Sequence, residues 1–238
     1  MISSLPKWVG NLFDGYLRPN MTVTNIESLS PSVKKIRFEG NLTKMNFQVG
    51  YANVIRVTDT DYRNYTVSNY NSDEGNLEII FHIHGNGAGC DYIDTLNPGD
   101  KIFLSSARGH KVYDSNVKSY FFFGDETGFG LATALMNAIN NNTHQQVQFY
   151  FELEHSNMDI PGILGLKNYT VFPKGSIFSN KTLISELPVF QNEDWQQANY
   201  ILTGNVSSVQ SFRSVLKQQK FGNKIHSQGY WIKGKKGL

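Results

Sequence analysis

Cysteine is nearly absent from this chain, since Cys90 is the only one among 238 residues. A lone cysteine excludes an internal disulfide framework and any zinc or iron–sulfur site built from the chain's own cysteines. Long apolar runs are missing as well, and none approaches the roughly 18 residues that a membrane-spanning helix needs. The sequence therefore predicts no insertion into a membrane.

Excess charge of one sign is also missing. The formal charge is +2 at pH 7, which is too close to neutral for a protein whose main work is binding a phosphate backbone, so nucleic-acid binding is not expected. What the chain does have is 39% hydrophobic and 13% aromatic residues, enough to build a packed core and to exclude intrinsic disorder. Its length is typical of one large domain or two small ones.

The first 18 residues carry apolar side chains at helical spacing. They predict an amphipathic segment over residues 1–18, which packs on the body of the protein or, as the alternative, lies on a membrane surface. The same stretch lacks the basic and apolar regions of a secretory signal, so the expected location is the cytoplasm.

The two halves of the chain differ in the type and spacing of their predicted secondary-structure elements. Up to about residue 113, short β-favouring segments alternate with turn residues, at 21–28, 33–38, 51–57, 62–68, 77–84 and 101–105. Many strands at short spacing predict an antiparallel β-barrel or sandwich over residues 19–113. From residue 118 to 238, predicted strands at 120–123, 146–154, 199–203 and 224–232 alternate with helices at 131–139 and 206–219. Such alternation predicts an α/β domain with a parallel sheet.

A glycine-rich loop joins the first strand of the second half to its helix. The stretch Gly124-Asp125-Glu126-Thr127-Gly128 leads from an apolar run into helical periodicity. Backbone N–H groups at a helix start favour phosphate, so Asp125, Thr127 and Gly128 are candidates for binding a nucleotide. An ordinary capped helix is the alternative.

The segment Arg63-Asn64-Tyr65-Thr66 carries a second candidate site in the β half. The fork of an arginine suits a pyrophosphate, and a tyrosine ring offers a flat face for a planar ligand. Strand alternation sends Tyr65 and Thr66 to opposite faces, so both reach one ligand only if that ligand wraps the strand or the backbone bends. An ordinary strand rich in Tyr and Thr is the alternative.

Several motifs together resemble the siderophore-interacting proteins, a family of FAD-dependent ferric-siderophore reductases with the ferredoxin-reductase fold. The resemblance spans roughly residues 20 to 234 and rests on Arg63-x-Tyr65-Thr66, His84-Gly85-x-Gly87-Ala88-Gly89-Cys90, Pro98-Gly99-Asp100, Gly124-Asp125-Glu126-Thr127 and Gly229-Tyr230-Trp231. It implies a two-domain fold with an N-terminal antiparallel Greek-key β-barrel that binds FAD, followed by a parallel-sheet domain for NADH or NADPH.

The resemblance also implies roles for individual residues. Arg63 would hold the FAD pyrophosphate, while Tyr65 and Thr66 would lie against the flavin ring and count as catalytic. The remaining candidates for cofactor binding lie near these in the barrel half: Val67, Ser68, His82, His84, Gly87, Ala88, Gly89 and Cys90. Residues Gly124 to Thr127 would face the pyridine nucleotide.

The chain departs from the family pattern at several of these positions. Ser68 stands where the family often has a second arginine, Cys90 where it has serine, and Asn205 where it commonly has glutamate after Gly204. The loss of an arginine would weaken FAD binding, and Asn205 places an amide at the expected nucleotide site where the family commonly has a carboxylate.

Other polar residues admit more than one interpretation. Glu152 and Glu154 end the second strand of the α/β half, where a carboxylate can take a ribose hydroxyl, although both also suit a solvent-exposed surface. His155 and Lys167 would suit a 2′-phosphate, and the sequence does not decide between NADH and NADPH. Lys233 and Lys235 in the tail would attract an anionic ferric chelate or are merely solvated.

Two further alternatives concern the end of the barrel half. His82 and His84 share one strand face and offer a metal pair, although no convergent acidic or cysteine ligands complete a site, so no metal is predicted. Cys90 offers a redox nucleophile, although a small residue at a tight turn is the better explanation.

The sequence therefore predicts a cytoplasmic, monomeric FAD-dependent reductase of ferric siderophores that takes electrons from NADH or NADPH. The alternatives are a flavin reductase that serves a ferredoxin- or flavodoxin-type protein, and a siderophore-binding protein without catalysis.

Overall fold

A computed structural model describes residues 20–85, 87–142 and 144–234 of the chain. The chain divides between Lys111 and Val112 into two compact units. The predicted amphipathic segment and Lys235 lie outside the described residues. Within the described part, no helix combines the length and the apolar character that crossing a bilayer requires.

Over its described residues, the first unit is built from antiparallel strands and one helix. The strands are β1 (Met21–Ser30), β2 (Val33–Gly40), β3 (Tyr51–Arg56), β4 (Tyr62–Tyr65), β5 (Val67–Asn71), β6 (Asn76–His82), β7 (Lys101–Ile102) and β8 (Arg108–Gly109). One sheet has the order β5-β6-β2-β1-β7 and a second has the order β4-β3-β8. Helix α1 (Ala88–Thr95) lies between β6 and β7 in the chain.

Alternating side chains from both of these sheets fill one core. On β2, for example, Ile36 and Phe38 are fully buried in this core, while Arg37 between them is more exposed. Ile55 from β3 joins the same hydrophobic cluster, which shows that the two sheets cover one another. The prediction of an antiparallel β domain is confirmed.

The strand predicted over residues 62–68 is interrupted in the structure. β4 ends at Tyr65 and pairs with β3, whereas β5 begins at Val67 and pairs with β6 in the other sheet. The prediction of one continuous strand was wrong, because the chain crosses from one sheet to the other at Thr66. This is the bend that would let Tyr65 and Thr66 serve one ligand.

Helix α1 was not predicted from the sequence. The segment after His84 reads as a turn because of its glycines, and Gly85 and Gly87 do have positive φ values of 97° and 149°. The chain enters the helix directly after Gly87, so the residues from Ala88 to Cys90 form its first turn rather than a loop.

The second unit has a five-stranded sheet in which all neighbours are parallel. Its strands are β9 (Ser119–Gly124), β10 (Gln146–Leu153), β11 (Tyr169–Pro173), β12 (Asn199–Asn205) and β13 (Lys224–Trp231), in the order β11-β10-β9-β12-β13. Its helices are α2 (Phe129–Asn140), α3 (Ile160–Ile163), α4 (Lys181–Ser185) and α5 (Val206–Gln219). The predicted parallel α/β domain is confirmed. Strand β11, a short edge strand that ends in proline, was missed.

The run Tyr120-Phe121-Phe122-Phe123 explains the central position of β9. Phe121 and Phe123 contact Phe212 of α5 at ring distances of 5.8 and 5.2 Å, whereas Phe122 contacts Phe149 and Phe151. All of the run is at most 1% exposed. A strand covered on both faces requires such a continuous apolar run.

We expect Phe123→Ala to lower the free energy of unfolding by about 3–5 kcal/mol, because it removes a buried ring and leaves a cavity. Phe123 is 1% exposed and lies 4.3 Å from the ring of Phe178. Urea denaturation would measure the loss. Leu183→Ala is the matched control in the same unit, since Leu183 is 41% exposed, and should cost about 1 kcal/mol or less. Equal losses for the two variants would contradict this account of the core.

Candidate functional site

Arg63 and Tyr65 lie next to the first turn of α1. They are two residues apart on β4, so alternation places them on one face of the strand. A Cβ built on Gly89 would lie 2.8 Å from the Tyr65 hydroxyl oxygen and 3.2 Å from Cγ of Arg63. The structure therefore brings together two segments that are separated by more than twenty residues, and it does so because position 89 has no side chain.

The start of α1 presents backbone N–H groups without a side-chain cap. Its N-cap residue is Gly87, which makes no side-chain hydrogen bond to the helix. Cβ atoms built on Gly85 and Gly87 would meet nothing within 4 Å, so the space beside this turn is open. Uncapped amides at the positive end of a helix, with an arginine beside them, suit a phosphate group.

Tyr65 is held in a mostly apolar environment. Its ring contacts Phe81 edge-on, with centroids 4.7 Å apart. Burial raises the pKa of the Tyr65 phenol well above its usual range, the neighbouring Cys90 adds to this, and Arg63 opposes it only in part. The shift therefore moves the ionisation of this phenol further from neutral pH.

The predicted residues that follow Tyr65 differ in what they can offer a ligand. Thr66 is half-buried at the break between β4 and β5. The side chain of Val67 packs in the core. Ser68 is 2% exposed at an irregularity of the β5–β6 pairing, and its hydroxyl donates to the carbonyl of Glu78 at 3.0 Å. A role for Val67 in cofactor binding would have to use its backbone.

His82, His84 and Cys90 lie close together at the end of β6. The two imidazole rings are 5.8 Å apart, as alternation predicts for positions i and i+2. Burial raises the pKa of the Cys90 thiol, but hydrogen bonds with His84 outweigh that effect and lower the pKa overall. Among the described residues, no group of three His, Cys, Asp or Glu side chains is placed to hold a metal ion.

In the second unit, the carboxylate of Asp125 joins three segments at the carboxyl edge of the sheet. It accepts hydrogen bonds from the backbone N–H and the hydroxyl of Thr127, from the N–H of Asn205 at 2.8 Å and from the indole of Trp231 at 2.7 Å. Asp125 is 2% exposed, and burial raises its pKa although the bonds from Thr127 and Trp231 oppose the shift. Asp125 and Thr127, two of the predicted nucleotide-binding residues, are thus hydrogen-bonded to each other through their side chains.

Glu126 forms a second buried group at the same edge. One of its oxygens accepts from the N–H of Glu154 at 2.8 Å and from the side chain of Asn157 at 3.1 Å, and the other accepts from Nζ of Lys174 at 2.7 Å. Lys174 also lies 3.5 Å from the Glu154 carboxylate and 5.6 Å from the centre of the Trp231 ring. The sequence prediction included Glu126 only as part of the loop from Gly124 to Thr127, and it did not name Lys174. The available signal was a pair of acidic residues between a buried strand and a helix.

Gly128 is required by packing at the start of α2. A Cβ at this position would lie 2.9 Å from the hydroxyl oxygen of Thr203. The helix begins at Phe129 without a side-chain cap. Contact between this loop and a nucleotide therefore remains a prediction, and it would use backbone N–H groups. Lys233, the described member of the predicted substrate-binding pair, is exposed after the end of β13.

Comparisons with known proteins agree with this description. Residues 20–113 match the family model of the oxidoreductase FAD-binding domain. The siderophore-interacting protein of Acinetobacter baumannii superimposes with a TM-score of 0.72 at 20% identity, covering 91% of each chain. The siderophore-interacting protein of Aeromonas hydrophila superimposes with a TM-score of 0.74 at 17% identity, covering 92% of this chain and 93% of the other.

A ferredoxin–NADP⁺ reductase from Plasmodium falciparum, solved as its H286L mutant, also has the same fold. Its TM-score is 0.68 at 16% identity, with 89% of this chain and 95% of that chain covered. No curated protein sequence matches the chain significantly. The chain thus has the two-domain, ferredoxin-reductase-like fold of FAD-binding oxidoreductases, and its first unit contains an oxidoreductase FAD-binding domain. The resemblance inferred from the sequence is confirmed at this level.

We expect Lys174→Met to destabilise the protein by about 3 kcal/mol, since it leaves a buried carboxylate without its cation. The side chain of Glu126 is 0% exposed and that of Lys174 is 21% exposed. Urea denaturation would measure the change. The double variant Glu126→Gln/Lys174→Met should recover much of the loss, because it removes the uncompensated charge. A double variant as unstable as Lys174→Met would contradict a role for charge pairing.

The same pair should control how stability changes at high pH. Burial lowers the pKa of Lys174, but its hydrogen bond and charge pairing with Glu126, aided by Asp125 and Glu154, outweigh burial and raise the pKa. A raised lysine pKa stabilises the fold fully below the ordinary lysine value and ceases to do so as pH rises through the raised value. The difference in stability between wild type and the double variant should stay constant near neutrality and shrink only in alkali.

Proposed function

We propose that this chain is an FAD-dependent reductase that passes electrons from a reduced pyridine dinucleotide to ferric siderophores. The observation that supports this most directly is the convergence of Arg63, Tyr65 and Gly89 at the start of α1, within the region that matches an FAD-binding domain. The proposal assigns flavin binding to residues 19–113 and nucleotide binding to residues 118–238, and places a monomer in the cytoplasm.

The residues at this site fit FAD. Arg63 and the uncapped amides of the first α1 turn supply positive potential for the pyrophosphate. Gly89 leaves the space that a side chain would fill, and Tyr65 and Thr66 follow Arg63 at the sheet crossing. His84 and Cys90 are hydrogen-bonded to each other near the first turn of α1. This set would hold the cofactor through one cation, backbone donors and a protonated phenol.

Bound FAD would supply the conversion between two-electron transfer from a pyridine dinucleotide and one-electron transfer to chelated iron. The protein's part is to bind FAD and to orient its flavin ring. The Tyr65 phenol would offer a neutral hydrogen-bond donor, and burial moves its pKa further above neutral pH. The guanidinium of Arg63 would pair with the pyrophosphate.

The siderophore as acceptor is supported by two neighbours of like fold and nearly equal length, each named as a siderophore-interacting protein. Hard oxygen donors hold ferric iron, and reduction lowers the charge of the ion, so these donors hold it less tightly. No acid–base pair is needed for such a reaction. Lys233 is exposed and would attract an anionic chelate.

A protein acceptor is the second candidate, because chains of the same fold include the ferredoxin–NADP⁺ reductase and a phthalate dioxygenase reductase with a TM-score of 0.70 at 11% identity. With Cys90 as its only cysteine, this chain cannot hold a four-cysteine iron–sulfur cluster alone, so a cluster would belong to the partner.

The deciding experiment is an absorption spectrum of the purified protein supplied with FAD, followed by anaerobic addition of NADH or NADPH and then of a ferric chelate. We expect the yellow colour to bleach and to return as a ferrous-specific dye reports reduced iron. Turnover with a ferredoxin or flavodoxin but not with the chelate would favour the second candidate. Tight chelate binding without reduction would indicate a binding protein, and failure to bind FAD would overturn the proposal.

We expect Arg63→Lys to weaken FAD binding by about tenfold or more, because a hydrogen bond to a charged group contributes about 1.5–3 kcal/mol and 1.4 kcal/mol is a factor of ten. Quenching of flavin fluorescence on titration would give the dissociation constant. Arg56→Lys is the control, since Arg56 lies on the neighbouring strand β3 and bonds the carbonyls of Thr58 and Asp59 instead. Equal affinity in the two variants would remove Arg63 from the site.

A further inference from the structure

We propose that Glu154 binds the adenosine ribose of the pyridine dinucleotide and excludes a 2′-phosphate, so that the electron donor is NADH rather than NADPH. This inference rests on the proposed function, because it concerns the dinucleotide that would bind the second unit. It follows from the different environments of the two carboxylates that end β10.

The structure separates Glu152 from Glu154. Glu152 is 4% exposed, and its oxygens accept from the N–H of Gly175 at 2.8 Å and from the hydroxyl of Ser208 at 2.7 Å. These bonds leave Glu152 with a structural role in joining β10 to its neighbours. The side chain of Glu154 is 58% exposed. Of the two carboxylates, Glu154 is the one that a ligand can reach.

Glu154 is also fixed beside the glycine-rich loop. Its backbone N–H donates to Glu126, which lies within the loop that follows β9. Strands β9 and β10 are parallel neighbours, so their carboxyl ends lie at one edge of the sheet. In open parallel sheets, dinucleotides bind at that edge, with phosphates at the first loop and a carboxylate at the next strand end taking the ribose hydroxyls.

The charges around Glu154 disfavour an additional phosphate. Lys174 lies 3.5 Å from Glu154, but its ammonium is paired at 2.7 Å with the buried Glu126. The negative charge of Asp125 also acts on Lys174, so three carboxylates share the influence of one lysine. A 2′-phosphate would add about two negative charges here, whereas a 2′-hydroxyl can donate to a carboxylate. His155 and Lys167, the cations that the sequence offers for a phosphate, are exposed as Glu154 is. The predicted preference therefore requires that the carboxylates outweigh these two side chains.

The test measures binding to the FAD-loaded protein by calorimetry, with ADP-ribose and 2′-phospho-ADP-ribose as probes. We expect wild type to bind ADP-ribose about tenfold more tightly, the effect of one charged hydrogen-bond partner. Glu154→Gln should abolish most of that preference, and Glu154→Lys should reverse it. The matched control is Glu193→Lys, the same charge change at an exposed glutamate; its neighbour Asp194 lies with Lys118 and Ser119, at the opposite end of β9.

Each outcome separates this inference from the proposed function. A preference that Glu154→Lys leaves unchanged, or equal binding of both probes by wild type, overturns the role of Glu154 while the reductase proposal stands. Binding of neither probe, with FAD still bound, overturns both the pyridine dinucleotide donor and this inference. A preference that Glu193→Lys alters as much as Glu154→Lys does would indicate a general charge effect and would also overturn the assignment.

Discussion

The first turn of α1 approaches β4 closely, and the candidate flavin site depends on that approach. It is possible only because residue 89 has no side chain, since a Cβ there would overlap the Tyr65 hydroxyl. The same approach places the first turn of the helix beside the side-chain carbons of Arg63. The proposed phosphate-binding set thus depends on backbone geometry more than on any one side chain.

The second unit uses buried carboxylates for a different purpose. Three buried carboxylates accept hydrogen bonds from donors at or beyond the carboxyl ends of other strands: Asp125, Glu126 and Glu152. These bonds hold the carboxyl edge of the parallel sheet together. A buried charge is costly unless it is paired and hydrogen-bonded. All three carboxylates accept hydrogen bonds, and Glu126 is also paired with the ammonium of Lys174. The motif that looks like a nucleotide loop therefore also organises the fold.

Sequence reasoning succeeded where a local pattern reports a local environment. The run Phe121-Phe122-Phe123 indicates a strand covered on both faces, and the helix over residues 206–219 has the bounds that its periodicity predicts. It failed where a neighbour distant in the chain decides the conformation. The glycines around position 87 read as a turn, yet a helix begins there, and β11 depends on pairing with β10.

The sequence by itself determined the order of the two units, the antiparallel and parallel character of their sheets, and the motifs that could carry chemistry, because hydrophobic period and turn residues are local properties. Only the tertiary structure decided which polar groups are available. Asp125 and Trp231 are 106 residues apart and share a hydrogen bond, and Glu152 is buried while Glu154 is exposed. Burial and pairing of this kind depend on which strands become neighbours, and spacing along the chain does not encode that.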